Sequence, residues 1–175
     1  MDKTLTWNGN FPIIGNLDPI TTEIVTTLPS PIVAGTPGSA RFTVDIDAPP
    51  LATTGLEDIG AATLQGTADI WVYVTDPNGT KAVIDAALTI PSTPTPADGQ
   101  DLRFTATGTA RFPGPFDTGT ATVAVDPDQV STTLDPKQAD GSDTVLGTFT
   151  VPLGLDSTTP PQDPTLGQVQ IDPAN

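Results

Sequence analysis

The amino-acid sequence predicts an all-β protein, a two-sheet β-sandwich of roughly ten strands with one short helix near residues 51–60. Apolar residues alternate with polar ones at period two along most of the chain, which is typical of strands with one buried face. All but two of the 21 acidic residues are Asp, which favours turns, and the 20 Pro residues favour loops. A short motif that returns at nearly constant spacing indicates a duplicated unit.

The repeated motif sets the predicted organisation of the chain. It occurs three times, at steps of 62 and 61 residues, as Thr27-Leu28-Pro29, Thr89-Ile90-Pro91 and Thr150-Val151-Pro152. Residues 28–44 also align with residues 90–106 without a gap. Two copies are too few for a solenoid. We therefore expect a single β-sandwich domain over the whole chain, residues 1–175, with an internal repeat of 28–89 and 90–151 and a C-terminal Pro-rich link and last strand within 156–175.

Four strands and the helix are predicted in the first half of the chain. Apolar side chains recur at alternate positions of four stretches, with an occasional Gly or Thr between them: residues 5–11, 20–28, 42–46 and 70–75. In the last stretch both sets of alternate positions are apolar or aromatic, which predicts a central strand. Leu51 to Ile59 has helical spacing, and we expect it to cross one end of the sandwich.

The second half is predicted to continue through hairpins. Asp76-Pro77-Asn78-Gly79 has the residue types of a tight turn, so Lys81 to Ile90 is expected to return beside the preceding strand. Asp126-Pro127-Asp128 is interpreted in the same way, as the turn of a hairpin. Further strands are expected at residues 102–106, 121–125, 130–134, 145–151 and 166–171.

The composition limits the chemistry available to the chain. It contains no His and no Cys, which removes imidazole bases, thiol nucleophiles, disulfides and most zinc or iron sites. With 21 acidic and 6 basic residues the formal net charge is −15, and no basic patch is present that would bind a nucleic acid. No apolar run is long enough to span a membrane, and residues 1–5 lead into a strand without the apolar stretch of a signal peptide. We expect partners other than nucleic acid or membrane.

Two turns of the pattern Ala-Asp-Gly-x-Asp are candidates for calcium binding. They supply the carboxylates of Asp98, Asp101, Asp140 and Asp143, and calcium takes roughly six to eight oxygen ligands of this kind. Neither turn supplies the remaining ligands of a calcium loop, and Asp-Gly is also a frequent turn dipeptide. We favour the turn interpretation, with no metal and no cofactor bound.

Paired carboxylates raise the alternative of glycoside hydrolysis. Asp45 and Asp47 share one face of a strand, and Asp126 and Asp128 flank a proline. The face of Asp45 also carries Arg41, which is typical of a solvent-facing surface, whereas a catalytic acid needs burial or a like charge to raise its pKa. A Ser nucleophile would lack a His base. We therefore predict that the protein has no catalytic residues and is not an enzyme.

Trp71 and Tyr73 are the candidate binding patch. They occupy alternate positions of one strand and therefore share a face, where their rings could stack on a sugar or contact another protein. Aromatic residues on strands more often belong to the core, and that alternative stays open.

A series of short segments matches a known family in order between residues 4 and 171. The segments are Phe11-Pro12-Ile13-Ile14-Gly15, Gly55-Leu56-x-x-Ile59-Gly60-Ala61, Thr89-Ile90-Pro91, Thr105-Ala106-Thr107-Gly108 and Gly147-Thr148-Phe149-Thr150-Val151-Pro152. Together they resemble an uncharacterised all-β domain family of secreted actinobacterial proteins. Because that family has no established activity, the resemblance implies an architecture and a location but no reaction.

Two departures from the family pattern guide the functional hypothesis. The family typically carries a Cys before the F-P-x-I-G stretch and another after the last V-P, where this chain has Gly9 and Leu153. The usual signal peptide is missing as well. Both losses are expected of a domain that folds in a reducing cytosol, unless a signal was trimmed. A virion protein of a bacteriophage of actinobacteria, assembled in the host cytoplasm, would fold there.

The expected function is structural. We expect a non-enzymatic virion accessory subunit, in capsid decoration or in the head or tail, that contacts other virion proteins or copies of itself in a homo-oligomer. Val33 and the strand Leu166 to Ile171 are the expected contacts, the latter by strand addition. The alternative is a secreted cell-surface adhesion or glycan-binding module, extracellular, with Trp71 and Tyr73 as its platform.

Overall fold

The computed structural model describes residues 1–29, 31–111, 116–158 and 160–174, and these residues form ten strands and one helix. The elements in chain order are β1 (Asp2–Phe11), β2 (Gly15–Thr27), β3 (Ile32–Val33), β4 (Ser39–Ala48), α1 (Pro50–Asp58), β5 (Thr63–Thr75), β6 (Lys81–Pro94), β7 (Leu102–Arg111), β8 (Gly119–Lys137), β9 (Phe149–Leu155) and β10 (Thr165–Asp172). The predicted helix and most predicted strands are therefore present, but the strand predicted over 145–151 begins only at Phe149, and the two predicted at 121–125 and 130–134 are parts of β8.

The strands form one sheet that closes on itself. Eight strands follow one another around a barrel in the order β8, β5, β6, β7, β4, β2, β1 and β9, and every neighbouring pair is antiparallel. The pairing of β8 with β9 completes the ring. The remaining two strands are not part of the closed ring but extend its sheet, with β10 pairing with β8 and the two-residue β3 pairing in parallel with β10.

The prediction of a two-sheet β-sandwich is wrong. Alternation of apolar and polar residues shows that each strand has one buried face, but a sandwich and a barrel both meet that requirement. The barrel closes because of β8, which is 19 residues long and pairs with two different strands along the same edge. Its first part, Gly119 to Ala124, pairs with β10, and Val130 to Leu134 pairs with β9, which joins it to β1.

The hairpin predicted around Asp126-Pro127-Asp128 is also wrong. β8 runs through this segment without reversing, since Val125 pairs with Val72 and Val130 pairs with Ile70 on the same neighbouring strand. The four residues 126–129 therefore form a bulge opposite Trp71. Asp and Pro both interrupt regular strand pairing, so they are found in bulges as well as in turns. The sequence pattern alone therefore fits either structure.

A side chain completes the barrel wall where β9 ends. The amide of Gln162 donates to the carbonyl oxygen of Thr6 at 2.9 Å and accepts from the Thr6 N–H at 2.8 Å. It thus satisfies the same two backbone groups of β1 that a neighbouring strand would satisfy.

Helix α1 covers one end of the barrel. It begins with Pro50, whose fixed φ suits the first helical position, and Gly60 follows the helix in the left-handed conformation with φ of 71°. Its buried face includes Gly55 and Leu56, and the Thr53 hydroxyl donates to the Gln100 carbonyl oxygen at 2.7 Å. The helix predicted over residues 51–60 is confirmed in type and place. Among the described residues, no helix is long and apolar enough to cross a membrane.

The barrel interior can be divided into two halves. The half nearest α1, called here the roofed half, has walls that include Trp7, Leu64, Ile70, Ile90, Leu102, Val130 and Leu134. The other half, called here the packed half, is filled by residues that are completely buried, namely Phe42, Val72, Val74, Ile84, Ala86, Ala121, Val123 and Ile171.

A candidate binding face on the barrel wall

Trp71 and Tyr73 lie side by side on the outside of the barrel. They alternate along β5 with the buried residues Ile70, Val72 and Val74, which point into the interior. Because successive strand residues point to opposite faces, both aromatic rings lie on the outer wall. Each is partly exposed. The prediction that they share one face is therefore confirmed, and neither belongs to the interior. Trp7 differs: it is buried, and its indole N–H donates to the Thr22 hydroxyl at 2.9 Å.

The neighbouring strand β6 borders these rings with a carboxylate, an apolar side chain and an ammonium group. Asp85 pairs with Trp71, and Val83 pairs with Tyr73 and is 39% exposed. The Lys81 ammonium nitrogen lies 5.2 Å from the centre of the Tyr73 ring, within the range of a cation–π interaction. The ammonium group therefore lies over the Tyr73 ring, while Trp71 has a hydrogen-bond acceptor beside it.

On the other side the rings meet the β8 bulge. Asp126 is almost completely buried, and its Oδ1 accepts the N–H of Asp128 at 3.1 Å, which holds the bulge in shape. The Asp126 carboxylate, together with partial burial, raises the pKa of the Tyr73 hydroxyl, because ionised tyrosine beside a carboxylate is disfavoured. Tyr73 therefore stays neutral at physiological pH and can donate a hydrogen bond.

These residues together are called here the aromatic face: Trp71, Tyr73, Val83, Asp85 and the bulge 126–129. Its chemistry is a pair of flat apolar rings with carboxylates on both sides, from Asp85 on β6 and from Asp126 and Asp128 on β8. Ionised carboxylates accept hydrogen bonds and cannot donate them. The face therefore suits a ligand with a flat apolar side and hydroxyl donors at its edges.

The four aspartates proposed for calcium lie in two separate turns and are engaged in local contacts. Asp98 accepts the Thr54 hydroxyl at 3.0 Å, and Asp101 pairs with Arg103 at 3.3 Å. Asp140 accepts the N–H and the hydroxyl of Ser142. These two hydrogen bonds lower the pKa of Asp140.

The fourth aspartate, Asp143, pairs with Lys137 at 2.5 Å. Across the described ranges, no three acidic side chains lie close enough together to hold a metal ion. The geometry thus gives the calcium hypothesis no support.

Asp45 and Asp47 lie on the outer wall in a shallow depression of about 480 Å³. Asp47 pairs with Arg103 at 3.0 Å, and Asp45 accepts the Thr105 hydroxyl. The second proposed pair, Asp126 and Asp128, sits in the β8 bulge beside the aromatic face. The structure therefore does not bring the two pairs together, and each has a local structural contact.

Comparison with known proteins gives a family but no activity. The sequence model of a family of unknown function (DUF6801) matches residues 6–167. The chain belongs to this family. No curated protein matches the sequence. One solved structure, "X-ray structure of Northeast Structural Genomics Consortium target SoR45", has 14% sequence identity and a TM-score of 0.32, with 78% of this chain and 80% of that chain covered. So low a TM-score carries no argument about fold or function.

Sequence reasoning missed two features of this DUF6801 chain. The first is the β8 bulge that borders Trp71, whose Asp-Pro-Asp residues also have the composition of a turn. The second is the apolar cavity in the roofed half of the barrel. Alternation identifies which side chains point inward, but it contains no signal for whether they fill the space between the walls.

Proposed function

We propose that this protein is a non-enzymatic binding module that holds an uncharged glycan on its aromatic face. The observation that carries the proposal is the placement of Trp71 and Tyr73 side by side on the outer wall, bordered by Asp85 on one strand and by the bulge carboxylates on the other. A glycan is the ligand class whose chemistry matches this arrangement.

The two parts of the aromatic face would contact different parts of a sugar. The C–H side of a pyranose ring is apolar and stacks on an aromatic ring, and Trp71 offers this area with little conformational entropy to lose. Tyr73, whose ring lies under the Lys81 ammonium, extends the apolar surface beside it. Sugar hydroxyls donate hydrogen bonds, and Asp85 and Asp128 are placed to accept them. The net charge of −15 disfavours anionic polymers, so the proposal is restricted to uncharged glycans.

The test is glycan binding by the wild-type chain and two matched variants. On an array of uncharged polysaccharides, Trp71→Ala is expected to abolish binding because the larger ring of the platform is removed. Val25→Ala is the control, since Val25 is an exposed apolar residue on the outer face of β2, remote from the aromatic face. Binding that survives Trp71→Ala, or binding lost equally in Val25→Ala, would contradict the proposal.

A structural role in a larger particle is the second candidate, supported by the edge of the sheet. Among the described residues, β3 stands last in the strand order and pairs with β10, and its Val33 side chain is 37% exposed. A short edge strand with an apolar residue can pair with another chain. The predicted contact strand, Leu166 to Ile171, is part of β10 and already pairs with β8. It is therefore less available for strand addition than the sequence alone predicts.

Under this second candidate the protein would be a virion subunit of a phage of actinobacteria, as the family resemblance and the missing Cys pair suggest. Light scattering coupled to size-exclusion chromatography tests it. A discrete oligomer that dissociates with Val33→Asp would support it, and a monomer at every concentration would oppose it. Addition of calcium in the same experiment would reveal any dependence on the Ala-Asp-Gly-x-Asp turns.

A further inference from the structure

The roofed half of the barrel contains an apolar cavity of about 100 Å³. Its walls come from most strands of the ring, and its roof comes from two segments, α1 and the turn Phe11 to Gly15. Leu56 contributes from the helix and Ile14 from the turn. The cavity is therefore a feature of the barrel interior and is separate from the aromatic face on the outer wall.

The polar groups that line the cavity have partners within the protein. The Trp7 indole N–H donates to the Thr22 hydroxyl, which in turn donates to the Leu5 carbonyl oxygen at 3.3 Å. The Thr132 hydroxyl donates to the Thr67 carbonyl oxygen at 3.3 Å. A buried water needs about two to four hydrogen-bonding partners, and these groups are already engaged. The cavity is thus better suited to an apolar molecule than to water.

Ser131 is the remaining polar side chain of the lining. It alternates in β8 with the buried residues Val130 and Thr132 and is partly exposed, which is the pattern of a wall residue that points outward. The space itself is bounded by Leu, Ile, Val and aromatic side chains. A ligand would therefore gain from dispersion contacts and burial, and a charged or strongly polar ligand would lose its hydration without compensation.

We propose that this cavity is a binding site for a compact hydrocarbon group. An apolar cavity of roughly 150 Å³ holds a benzene molecule or a xenon atom, so the smaller space here sets the size of the group. It would be either a free small hydrocarbon or the methyl end of an acyl chain. Eight-stranded barrels have interiors just wide enough to be filled by side chains or to hold one small ligand.

The turn between β1 and β2 is the proposed entrance. Ile13 has φ of 74°, a left-handed conformation that a β-branched residue rarely adopts, and its side chain is 61% exposed although it borders the cavity. The turn has an internal hydrogen bond from the Ile14 N–H to the Pro12 carbonyl oxygen at 2.9 Å. Strained residues of this kind cluster at ligand clamps and switch regions, which is why this turn is the segment proposed to move.

Close packing of this turn on the helix gives a way to test the entrance. A Cβ atom added at Gly55 would lie 2.5 Å from Cγ2 of Ile14, so the Ile14 side chain or the turn that carries it would have to shift. Gly55→Ala is therefore expected to accelerate exchange of a bound hydrocarbon. If the exchange rate is unchanged in this variant, the entrance lies elsewhere.

Benzene and xenon titrations followed by NMR of the methyl groups test the site itself. We expect saturable shifts at the methyls of Ile90, Leu102 and Leu134, which line the cavity. Ala48→Leu should abolish them by filling the space, and Ala87→Leu, the same change at an exposed position of β6, should preserve them. Ala52→Leu on α1 provides a second filling variant if the first does not fold.

Each outcome bears on the proposal. Saturable shifts that disappear in the filling variant would support it. No saturable shift in the wild-type protein, or shifts that persist unchanged in both filling variants, would overturn it. A decanoate titration distinguishes the source of the group. If decanoate shifts the same methyl signals, the group is the end of an acyl chain. If benzene and xenon shift them and decanoate does not, the group is a free hydrocarbon. The result is independent of glycan binding, because the filling variants change inward-facing residues, whereas the aromatic face lies on the outer wall.

Discussion

The packed half and the roofed half of the barrel interior follow the same alternation of apolar residues but are filled differently. In the packed half, Phe42 shares the interior with small and β-branched side chains such as Ala86 and Val123, and all of them are completely buried. None of the residues that define this half lines the cavity. In the roofed half the walls carry larger side chains, yet a space of about 100 Å³ remains between them.

This difference has a structural cause in how each half is closed. In the packed half β8 pairs with β10, and the inward residues of both strands, such as Val123 and Ile171, are completely buried. In the roofed half β8 pairs with β9, and the end is covered by the helix and the turn rather than by strands. The helix presents Ala52 and Gly55, which are small. We infer that the packed half tolerates changes in side-chain volume poorly, while the roofed half has room for a ligand.

The largest effect is expected from truncating the packed half. Phe42→Ala should lower the free energy of unfolding by about 3–5 kcal/mol, because it removes a fully buried ring from a closely packed region and leaves a cavity. Phe104→Ala is the matched variant in the roofed half, where the ring is partly exposed and already borders empty space. The free energy of unfolding should therefore fall clearly less in Phe104→Ala than in Phe42→Ala. Chemical denaturation measures both, and equal losses would contradict the division into halves.

The ionised carboxylates of Asp76 and Asp18 should have opposite effects on the stability of the fold. Asp76, in the turn between β5 and β6 at the packed end, is buried, and burial alone would raise its pKa. Hydrogen bonds from the N–H groups of Thr80, Asp117 and Asn78 outweigh burial and lower the pKa. The ionised form therefore stabilises the fold above the unfolded pKa of about 3.9, and this contribution is lost as the pH falls through the folded value.

Asp18 behaves in the opposite way. Partial desolvation, followed by the neighbouring Asp156 carboxyl, raises its pKa, so its charge opposes folding at neutral pH. At pH 7, Asp76→Ala should lower the midpoint of thermal unfolding and Asp18→Asn should leave it equal or raise it. Both differences from the wild-type protein should shrink in acid. Thermal unfolding from pH 7 to about pH 3 checks this, and a deficit in Asp76→Ala that persists in acid would refute the assigned role of the carboxylate.

The strands could be predicted from the sequence because their signals are local. Alternation located β4, β5 and β10 correctly, and the Asp76-Pro77-Asn78-Gly79 turn predicted the β5–β6 hairpin. Alternation also placed Trp71 and Tyr73 on one face of β5. These features depend on residues two to four positions apart, which a single sequence shows directly.

Closure of the barrel could not be predicted in this way. It depends on the pairing of β1 with β9, for example Trp7 with Leu155, across most of the chain, and no local pattern specifies that pair. The β8 bulge was misassigned because Asp126-Pro127-Asp128 has the composition of a turn, and only the continuous partner strand β5 shows otherwise. The cavity depends on the volumes of side chains from many strands at once, which binary patterning does not contain.

The most direct test of the two-halves account is the stability of two equivalent enlargements. Ala86→Leu adds the same atoms to the packed half that Ala48→Leu adds to the roofed half, and both positions are buried on the barrel wall. Chemical denaturation should show Ala86→Leu destabilised by about 1–3 kcal/mol through overpacking, and Ala48→Leu unchanged or more stable because the added atoms fill the cavity. Equal destabilisation of the two variants would show that the roofed half has no space to fill and would contradict the account.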